Sequence, residues 1–170
     1  SIALREIADI FGSMGFGIAY GPELETDWYN FTALNIPPNH PARSMQDTFW
    51  ITPGSGFRTS EPRVLRTHTT SVSMRELEKL AKEGRTKMRR IMPGKVFRNE
   101  AIDMTHEAQF YQVDGFAVGP KGSVTLAHLK GTLTRFYRKY LGEDAVIRFR
   151  PSFFGFTEPS VEVDVWFVPP

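Results

Sequence analysis

The residues best suited to chemistry surround one short polar loop in the second half of the chain. Arg98 and Glu100 form an Arg-x-Glu pair at the end of a strand-like run. His106, Phe110 and Asp114 follow at four-residue spacing. A guanidinium fixed at Arg98 can hold a phosphoryl group and neutralise charge that develops on it. The ring of Phe110 could lie flat on a base, and His106 could reach outer phosphates.

Structural interpretations of the same residues compete with this one. Arg98 and Glu100 could be an exposed ion pair, which contributes only about 0–1 kcal/mol to stability. Phe110 could pack in the core, as aromatic residues in strands usually do.

Hydroxyl side chains surround a histidine further upstream. Thr67, Thr69 and Thr70 flank His68, an unusual composition for a strand that faces only a core. Such a cluster can bind an ammonium and a carboxylate group. The alternative is a buried structural histidine whose ring nitrogens bond to the protein itself.

A second polar pair lies on the far arm of the hairpin. Gln112 and Asp114 are two residues apart, so a strand places both side chains on one face. Asp114 would supply a negative charge for an α-amino group, and Gln112 an orienting amide. A polar face turned to solvent is the alternative.

Composition limits the class of protein. The chain has 170 residues, of which 41% are hydrophobic and 13% aromatic, as expected for one globular domain with a core. The net charge of +2 does not by itself call for nucleic acid. The basic stretch 85–95 is predicted to be a solvated strand edge, with an RNA contact as the alternative. The absence of cysteine favours a reducing, cytoplasmic location, and no apolar run approaches membrane-helix length.

Periodicity predicts the elements that must position these residues. Helical spacing covers residues 2–14, 73–82 and 123–141, with Ser73 as the expected cap of the second helix. Strands are predicted at 16–20, 47–52, 63–67, 89–98, 110–118, 146–150 and 161–167, and a loop-rich segment at 21–47. Because regular helical crossovers do not join these strands, we predict an antiparallel α+β fold.

Five ordered blocks resemble one known family. They are Met14–Phe16 with Tyr20–Glu23 and Asn30–Asn35, His40–Phe49, Leu65–Thr69, the hairpin at 97–114, and Arg148–Asp164. Together they resemble the α subunit of bacterial-type phenylalanyl-tRNA synthetases, and the hairpin resembles motif 2 of class II aminoacyl-tRNA synthetases. The resemblance implies the class II catalytic fold, an antiparallel sheet of six or seven strands flanked by helices, within a single domain over residues 1–170.

The resemblance also implies an activity and its partners. The implied reaction is ATP- and Mg²⁺-dependent activation of phenylalanine and its transfer to tRNA, without a protein nucleophile. The family works with a separate β subunit, usually as a heterotetramer, with motif 1 at a subunit interface. The alternative is a truncated or paralogous protein that binds an amino acid or a partner without activating it. A plain RNA-binding module is disfavoured because no RNA-binding motif is present.

Residue roles follow from the matching positions. Arg98 is the implied catalytic residue on the α-phosphate. The implied ATP contacts are Arg98, Glu100, His106 and Phe110. The implied amino-acid contacts are His68, Thr70, Gln112, Asp114, Phe154 and Phe156.

Two further predictions concern the last block. Phe154 and Phe156 are two residues apart, so we predict that both line an apolar wall of the amino-acid pocket, with core packing as the alternative. The neighbouring Pro and Gly residues favour a shaped loop there. Glu158 and Glu162 are candidate Mg²⁺ ligands.

Some positions depart from the family pattern. Ser73 stands where the family usually has a substrate-contacting Gln, Asp114 where Glu is frequent, and Gly155 where Pro is common. Motif 3 and the N-terminal tRNA-binding arm are not found in these residues, so we expect the chain to be a fragment.

Overall fold

The computed structural model describes residues 2–40, 43, 48–52, 61–99, 107–155 and 157–168. Helices and strands alternate irregularly along the chain. In order, they are α1 (Ile2–Ser13), β1 (Gly17–Ile18), β2 (Leu24–Thr26), α2 (Asp27–Asn30), a 3-10 helix (Thr32–Leu34), β3 (Trp50–Ile51), β4 (Arg63–Leu65), α3 (Thr70–Lys82), β5 (Met88–Phe97), β6 (Gln109–Val118), α4 (Leu126–Leu141), β7 (Val146–Phe154) and β8 (Thr157–Trp166).

The three longer helices agree with the apolar spacing, although three of their boundaries differ by one to three residues. Helix α3 begins at Thr70, so Ser73 is a buried residue inside the helix and the prediction of a Ser73 cap is wrong. Thr69 precedes the helix without a side-chain capping bond. Instead, its backbone N–H donates to the side chain of Gln112, 3.1 Å away. The backbone just before α3 is therefore held by a tertiary contact.

The strands pair as an α+β protein with antiparallel ladders, which confirms the predicted fold class. The described strands form three sheets, with orders β1-β5-β6, β2-β4-β3 and β7-β8, rather than one sheet of six or seven strands. Strand β4 pairs antiparallel with both β2 and β3. After β4 ends, the N–H of Phe97 on β5 donates to the carbonyl of Arg66 at 2.9 Å. Arg66 lies just after β4, so this hydrogen bond is not part of the pairing between β4 and its neighbouring strands.

The described contacts group the chain into two compact units. The first comprises Ser1–Gly17, Thr86–Arg89 and Ala117–Pro170, and the second Ile18–Arg85 and Arg90–Phe116. In the first unit, the rings of Phe11 and Phe136 stack with centroids 4.7 Å apart. The second unit holds two buried clusters, one of Ala19, Val72 and Met92 and one of Phe31, Ile36 and Val64. The single-domain organisation stays a prediction.

The last two strands are longer than predicted. Strands β7 and β8 pair antiparallel from Val146 opposite Trp166 to Phe154 opposite Thr157, with an irregularity between Ser152 and Phe154. The expected loop around Phe154 is therefore mostly strand. Pro151 and Pro159 did not predict a loop correctly, because each strand of a two-stranded sheet has one edge without a backbone partner in that sheet. At such an edge the missing N–H of proline costs little.

Within the residues that the structure describes, no helix combines the length and apolar character needed to cross a membrane.

Candidate active site

The segment between β4 and α3 carries the predicted His68, with Thr70 as the first residue of α3, and Arg66 anchors this segment. The guanidinium of Arg66 donates to the carbonyls of Lys95 at 2.7 Å, Gly21 at 3.0 Å and Pro22 at 3.3 Å. Only 4% of Arg66 is exposed. This one buried side chain thereby joins three parts of the chain: the segment after β4, the residues just before β2, and β5.

Close packing around this anchor requires a glycine. A Cβ atom added to Gly94 on β5 would overlap the guanidinium of Arg66. Burial lowers the pKa of Arg66, and the negative charges of Glu23 and Glu25 oppose that shift. The anchor is thus a desolvated cation whose hydrogen bonds go to backbone carbonyls. Burial of a charged group costs free energy unless each of its donors has an acceptor.

Asn30, the last residue of α2, binds the same segment from the other side. Its amide donates to Thr67 Oγ1 at 3.1 Å and accepts from the N–H of Thr67 at 3.2 Å. Its backbone carbonyl lies 2.8 Å from Nε2 of His68. Asn30 and Thr67 are fully buried and His68 is 7% exposed. The imidazole is therefore buried, and a backbone carbonyl fixes the position of its Nε2 atom.

Polar atoms in this segment are left without protein partners. Among the described residues, the buried atoms without a hydrogen bond are His68 Nδ1, Thr69 Oγ1 and Ser71 Oγ. Leaving a buried polar atom unsatisfied costs about 1–3 kcal/mol. All three lie within four consecutive residues, so the segment is suited to a polar ligand.

The polar face of β6 meets the start of α3. Gln112 Oε1 accepts from the N–H of Thr69, and Asp114 Oδ2 accepts a short hydrogen bond from the hydroxyl of Thr70. The structure thus brings together four of the predicted amino-acid contacts, His68, Thr70, Gln112 and Asp114. A carboxylate, an amide and a neutral imidazole acceptor in one place can receive the three N–H donors of an ammonium group.

Arg98 and Phe110 lie together beside this face. The guanidinium carbon of Arg98 is 5.1 Å from the ring centroid of Phe110, and Nε lies 3.4 Å from the carbonyl of Thr67. The N–H of Arg98 also donates to Ala108 across the base of the loop, at 3.0 Å. A base stacked on Phe110 would either occupy the ring face opposite the Arg98 guanidinium or displace that guanidinium.

Comparisons with known proteins show the family of this chain. The family model described as tRNA synthetases class II core domain (F) matches residues 1–170. The chain belongs to this family. It is similar to the phenylalanine--tRNA ligase alpha subunits of Syntrophomonas wolfei and Anoxybacillus flavithermus, at 52% identity over 161 and 162 residues. Each match covers 95% of this chain and 44% of the relative, so the chain spans less than half the length of these curated relatives.

The class II fold is supported independently by a distant solved structure. A pyrrolysyl tRNA synthetase, PylSc of Desulfitobacterium hafniense, superposes with a TM-score of 0.65 at 16% identity. The match covers 97% of this chain and 53% of that one. At such low identity the likeness shows the fold alone, and it confirms the class II catalytic fold that the motifs implied.

For several predicted site residues of this class II core, the structure does not show a position beside His68, Gln112 and Asp114. Glu100, His106 and Phe156 lie outside the described residues. Phe154 ends β7 in the first unit and is 38% exposed, so its role in an amino-acid pocket stays a prediction.

The candidate Mg²⁺ ligands lie on β8 of the class II core. Glu162 accepts from Arg150 at 2.8 Å and from the hydroxyl of Ser152 at 2.9 Å. Four residues of strand separate it from Glu158, about 13 Å at the usual rise. Among the described residues no group of three His, Cys, Asp or Glu side chains could hold a metal. The metal role of both residues stays a prediction.

Reasoning from sequence missed the residues that position the site in this class II core. Arg66 and Asn30 lie inside matching blocks, and for Asn30 the available signal was an amide between aromatic residues. Glu25 was also missed: it is fully buried and accepts from Arg75 at 2.8 and 2.7 Å. Arg75 in turn covers the ring of Tyr29, with its guanidinium carbon 3.9 Å from the centroid.

A surface pocket of about 580 Å³ lies beside β2 and α2, between Tyr20–Glu23 and Asn30–Asn35 of the first matching block, which resembles motif 1. It is lined by Thr26, Asp27, Trp28, Tyr29, Trp50, Glu61 and Pro62. Trp28 is 54% exposed and Trp50 is 46% exposed. Exposed indole rings beside a concavity are typical of protein interfaces.

Proposed function

We propose that this chain is the catalytic core of an enzyme that activates phenylalanine with ATP and transfers it to tRNA. The observation that carries the proposal is that Arg98 on one side, and Gln112 and Asp114 on the other, contact the same short segment at 67–70. Thr67 lies against Arg98 through its carbonyl, while the residues that follow it meet Gln112 and Asp114. A phosphate-binding cation therefore lies next to an ammonium-binding face. The names of the relatives supply the amino acid.

The proposed first step needs positioning rather than a protein nucleophile. A carboxylate oxygen of phenylalanine attacks the α-phosphorus of ATP, and pyrophosphate leaves with the bonding electron pair. Asp114 and Gln112 would hold the ammonium group, which fixes the direction of the carboxylate. Arg98 would lie against the α-phosphate, where its charge offsets the negative charge of the transition state.

The proposed second step uses the same fixed amino acid. A hydroxyl of the 3′-terminal ribose of tRNA attacks the activated carbonyl, its proton is released, and AMP leaves. The ammonium contacts persist through both steps, because the amino group takes no part in either bond change. The residues around His68 would therefore serve activation and transfer alike.

Mg²⁺ and ATP use is general in the class II family. The described residues fit the nucleotide through Arg98 and Phe110, but they offer no three-carboxylate cage for a cation. Mg²⁺ is commonly bound through one or two carboxylates plus substrate phosphates. When bound, it would neutralise phosphate charge. Glu158 and Glu162 remain the candidate ligands in this proposal.

We also propose a β subunit as partner, in a heterotetramer, with the motif 1 region at an interface. The exposed indoles of Trp28 and Trp50 support that assignment, since they border a pocket in this region. A cytoplasmic location belongs to the same proposal.

The test is amino-acid-dependent exchange of pyrophosphate into ATP by the complete protein with its β subunit. We expect exchange with phenylalanine and much less with tyrosine or leucine. Binding of phenylalanine without exchange would instead support the alternative of a non-activating paralog. The 170-residue chain alone is expected to show no exchange.

A further inference from the structure

Asn30 makes a set of contacts that the proposed reaction does not yet explain. Its side chain is fully buried, although it is polar, and both hydrogen bonds described for that side chain run to Thr67. The contact of Asn30 with His68 is made by its backbone carbonyl. Asn30 lies 37 residues from Thr67 in sequence. A buried amide that both donates and accepts in this way favours one local arrangement.

The contact with His68 decides which ring nitrogen carries the proton. The carbonyl oxygen of Asn30 can only accept a hydrogen bond, so Nε2 of His68 must donate. In the neutral ring Nδ1 is then a bare acceptor. That atom is buried and has no hydrogen-bond partner among the described residues. The imidazole thus presents a lone pair to any ligand that reaches it.

We propose that Asn30 is a positioning residue that holds His68 with Nε2–H turned towards α2 and Nδ1 free to accept from a donor of the bound amino acid. The role of the amino acid rests on the proposed function, whereas the orientation of His68 does not. Asn30 acts through His68 and Thr67 and does not itself touch the substrate.

The charges around His68 favour this neutral, accepting ring. Burial is the main cause that lowers the pKa of His68, and the positive charges of Arg98 and Arg66 lower it further. The hydrogen bond to Asn30 and the negative charge of Asp114 oppose this shift. Protonation would remove the acceptor at Nδ1, so amino-acid binding should be lost as pH falls through the lowered pKa.

The experiment compares three variants of the complete enzyme with its β subunit. N30A removes both amide contacts. N30D keeps the acceptor for the N–H of Thr67 and adds a buried negative charge, while the Thr67 hydroxyl can turn to donate. N39D makes the same change at an exposed asparagine and is the matched control. The measurements are KM for phenylalanine and for ATP across pH, and the exchange of the imidazole C2 hydrogen of each histidine with deuterium, followed by mass spectrometry.

We expect N30A to raise KM for phenylalanine about tenfold, the equivalent of one lost hydrogen bond, and to change KM for ATP less than about twofold. N30D should approach wild type at high pH and lose phenylalanine affinity at a higher pH than wild type. Its C2 exchange should give a raised pKa for His68 and an unchanged profile for His128. N39D should match wild type throughout.

Three outcomes would overturn the inference. The first is equal loss of both KM values in N30A, which indicates general disruption. The second is an unchanged KM for phenylalanine in a folded N30A enzyme. The third is a His68 exchange profile in N30D identical to wild type, which stays measurable even where N30A fails to fold. If wild type does not activate phenylalanine but the His68 profile shifts in N30A as well as in N30D, the proposed function fails and the positioning of His68 by the Asn30 side chain stands.

Discussion

Thr70, the first residue of α3, donates a hydrogen bond to Asp114 in the middle of β6. The two residues are 44 positions apart, and their contact joins the helix start to the motif 2 hairpin. The hydroxyl therefore orients the carboxylate without neutralising its charge. This is the state in which a carboxylate binds an ammonium group best.

This pair predicts a graded effect on amino-acid binding. Asp114→Asn removes the charge and should raise KM for phenylalanine about 10- to 100-fold, since hydrogen bonds to charged groups contribute about 1.5–3 kcal/mol. Thr70→Val removes only the orienting donor and should cost less. Steady-state kinetics of the complete enzyme measure both, with the exposed Asp144→Asn as control. A larger effect for Thr70→Val than for Asp114→Asn would contradict this role.

Arg98 should affect the chemical step rather than amino-acid binding. Because its partner is a reacting phosphoryl group, Arg98→Ala should slow adenylate formation about 10²–10³-fold and leave phenylalanine binding nearly unchanged. Single-turnover adenylation and equilibrium titration with phenylalanine separate the two effects. Lys87→Ala, an exposed cation just before β5, is the control and should behave as wild type. An unchanged rate in Arg98→Ala would reduce Arg98 to a structural cation that covers Phe110.

The buried histidine should make stability depend on pH. The pKa of His68 is lowered in the folded protein, so between the lowered value and the ordinary value of 6.5 the unfolded chain binds a proton that the folded chain does not. Stability therefore falls as pH drops below about 6.5, by up to about 1.4 kcal/mol per pH unit within that window. Thermal melts of wild type and His68→Gln from pH 5 to 8 test this. The variant should show a flatter dependence, whereas the exposed His128→Gln should not, and parallel curves for wild type and His68→Gln would count against it.

Gly94 should tolerate no side chain, because the Arg66 guanidinium fills the space of its Cβ. Gly94→Ala should destabilise the protein by about 1–3 kcal/mol, as overpacking generally does. Gly131→Ala is a matched control inside α4, where an added Cβ meets nothing within 4 Å. That change should stabilise by about 0.5–1 kcal/mol through helix propensity. The measurement is the melting temperature of each variant, and equal shifts in both would show that Gly94 has room.

Features encoded by neighbouring residues were predictable from the sequence. The amphipathic spacing of α1 and α4 and the two arms of the hairpin follow from local periods, and the structure places them within a few residues of the prediction. The family and its fold were predictable because motifs are contiguous runs in which Arg98, Phe110, Gln112 and Asp114 keep fixed spacing. Which role each residue plays in catalysis stays a prediction.

Features that depend on burial were decided only by the tertiary structure. Asn30 and Thr67 are 37 residues apart and Glu25 and Arg75 are 50 apart, so no period links them. The N–H of Thr69, just before α3, likewise donates to Gln112 across the fold. Polar groups removed from water must find partners wherever the chain brings them, and that pairing is a property of the packed structure. The sequence therefore determined the chemistry that is available, and the packing determined that His68 offers an acceptor and Arg66 an anchor.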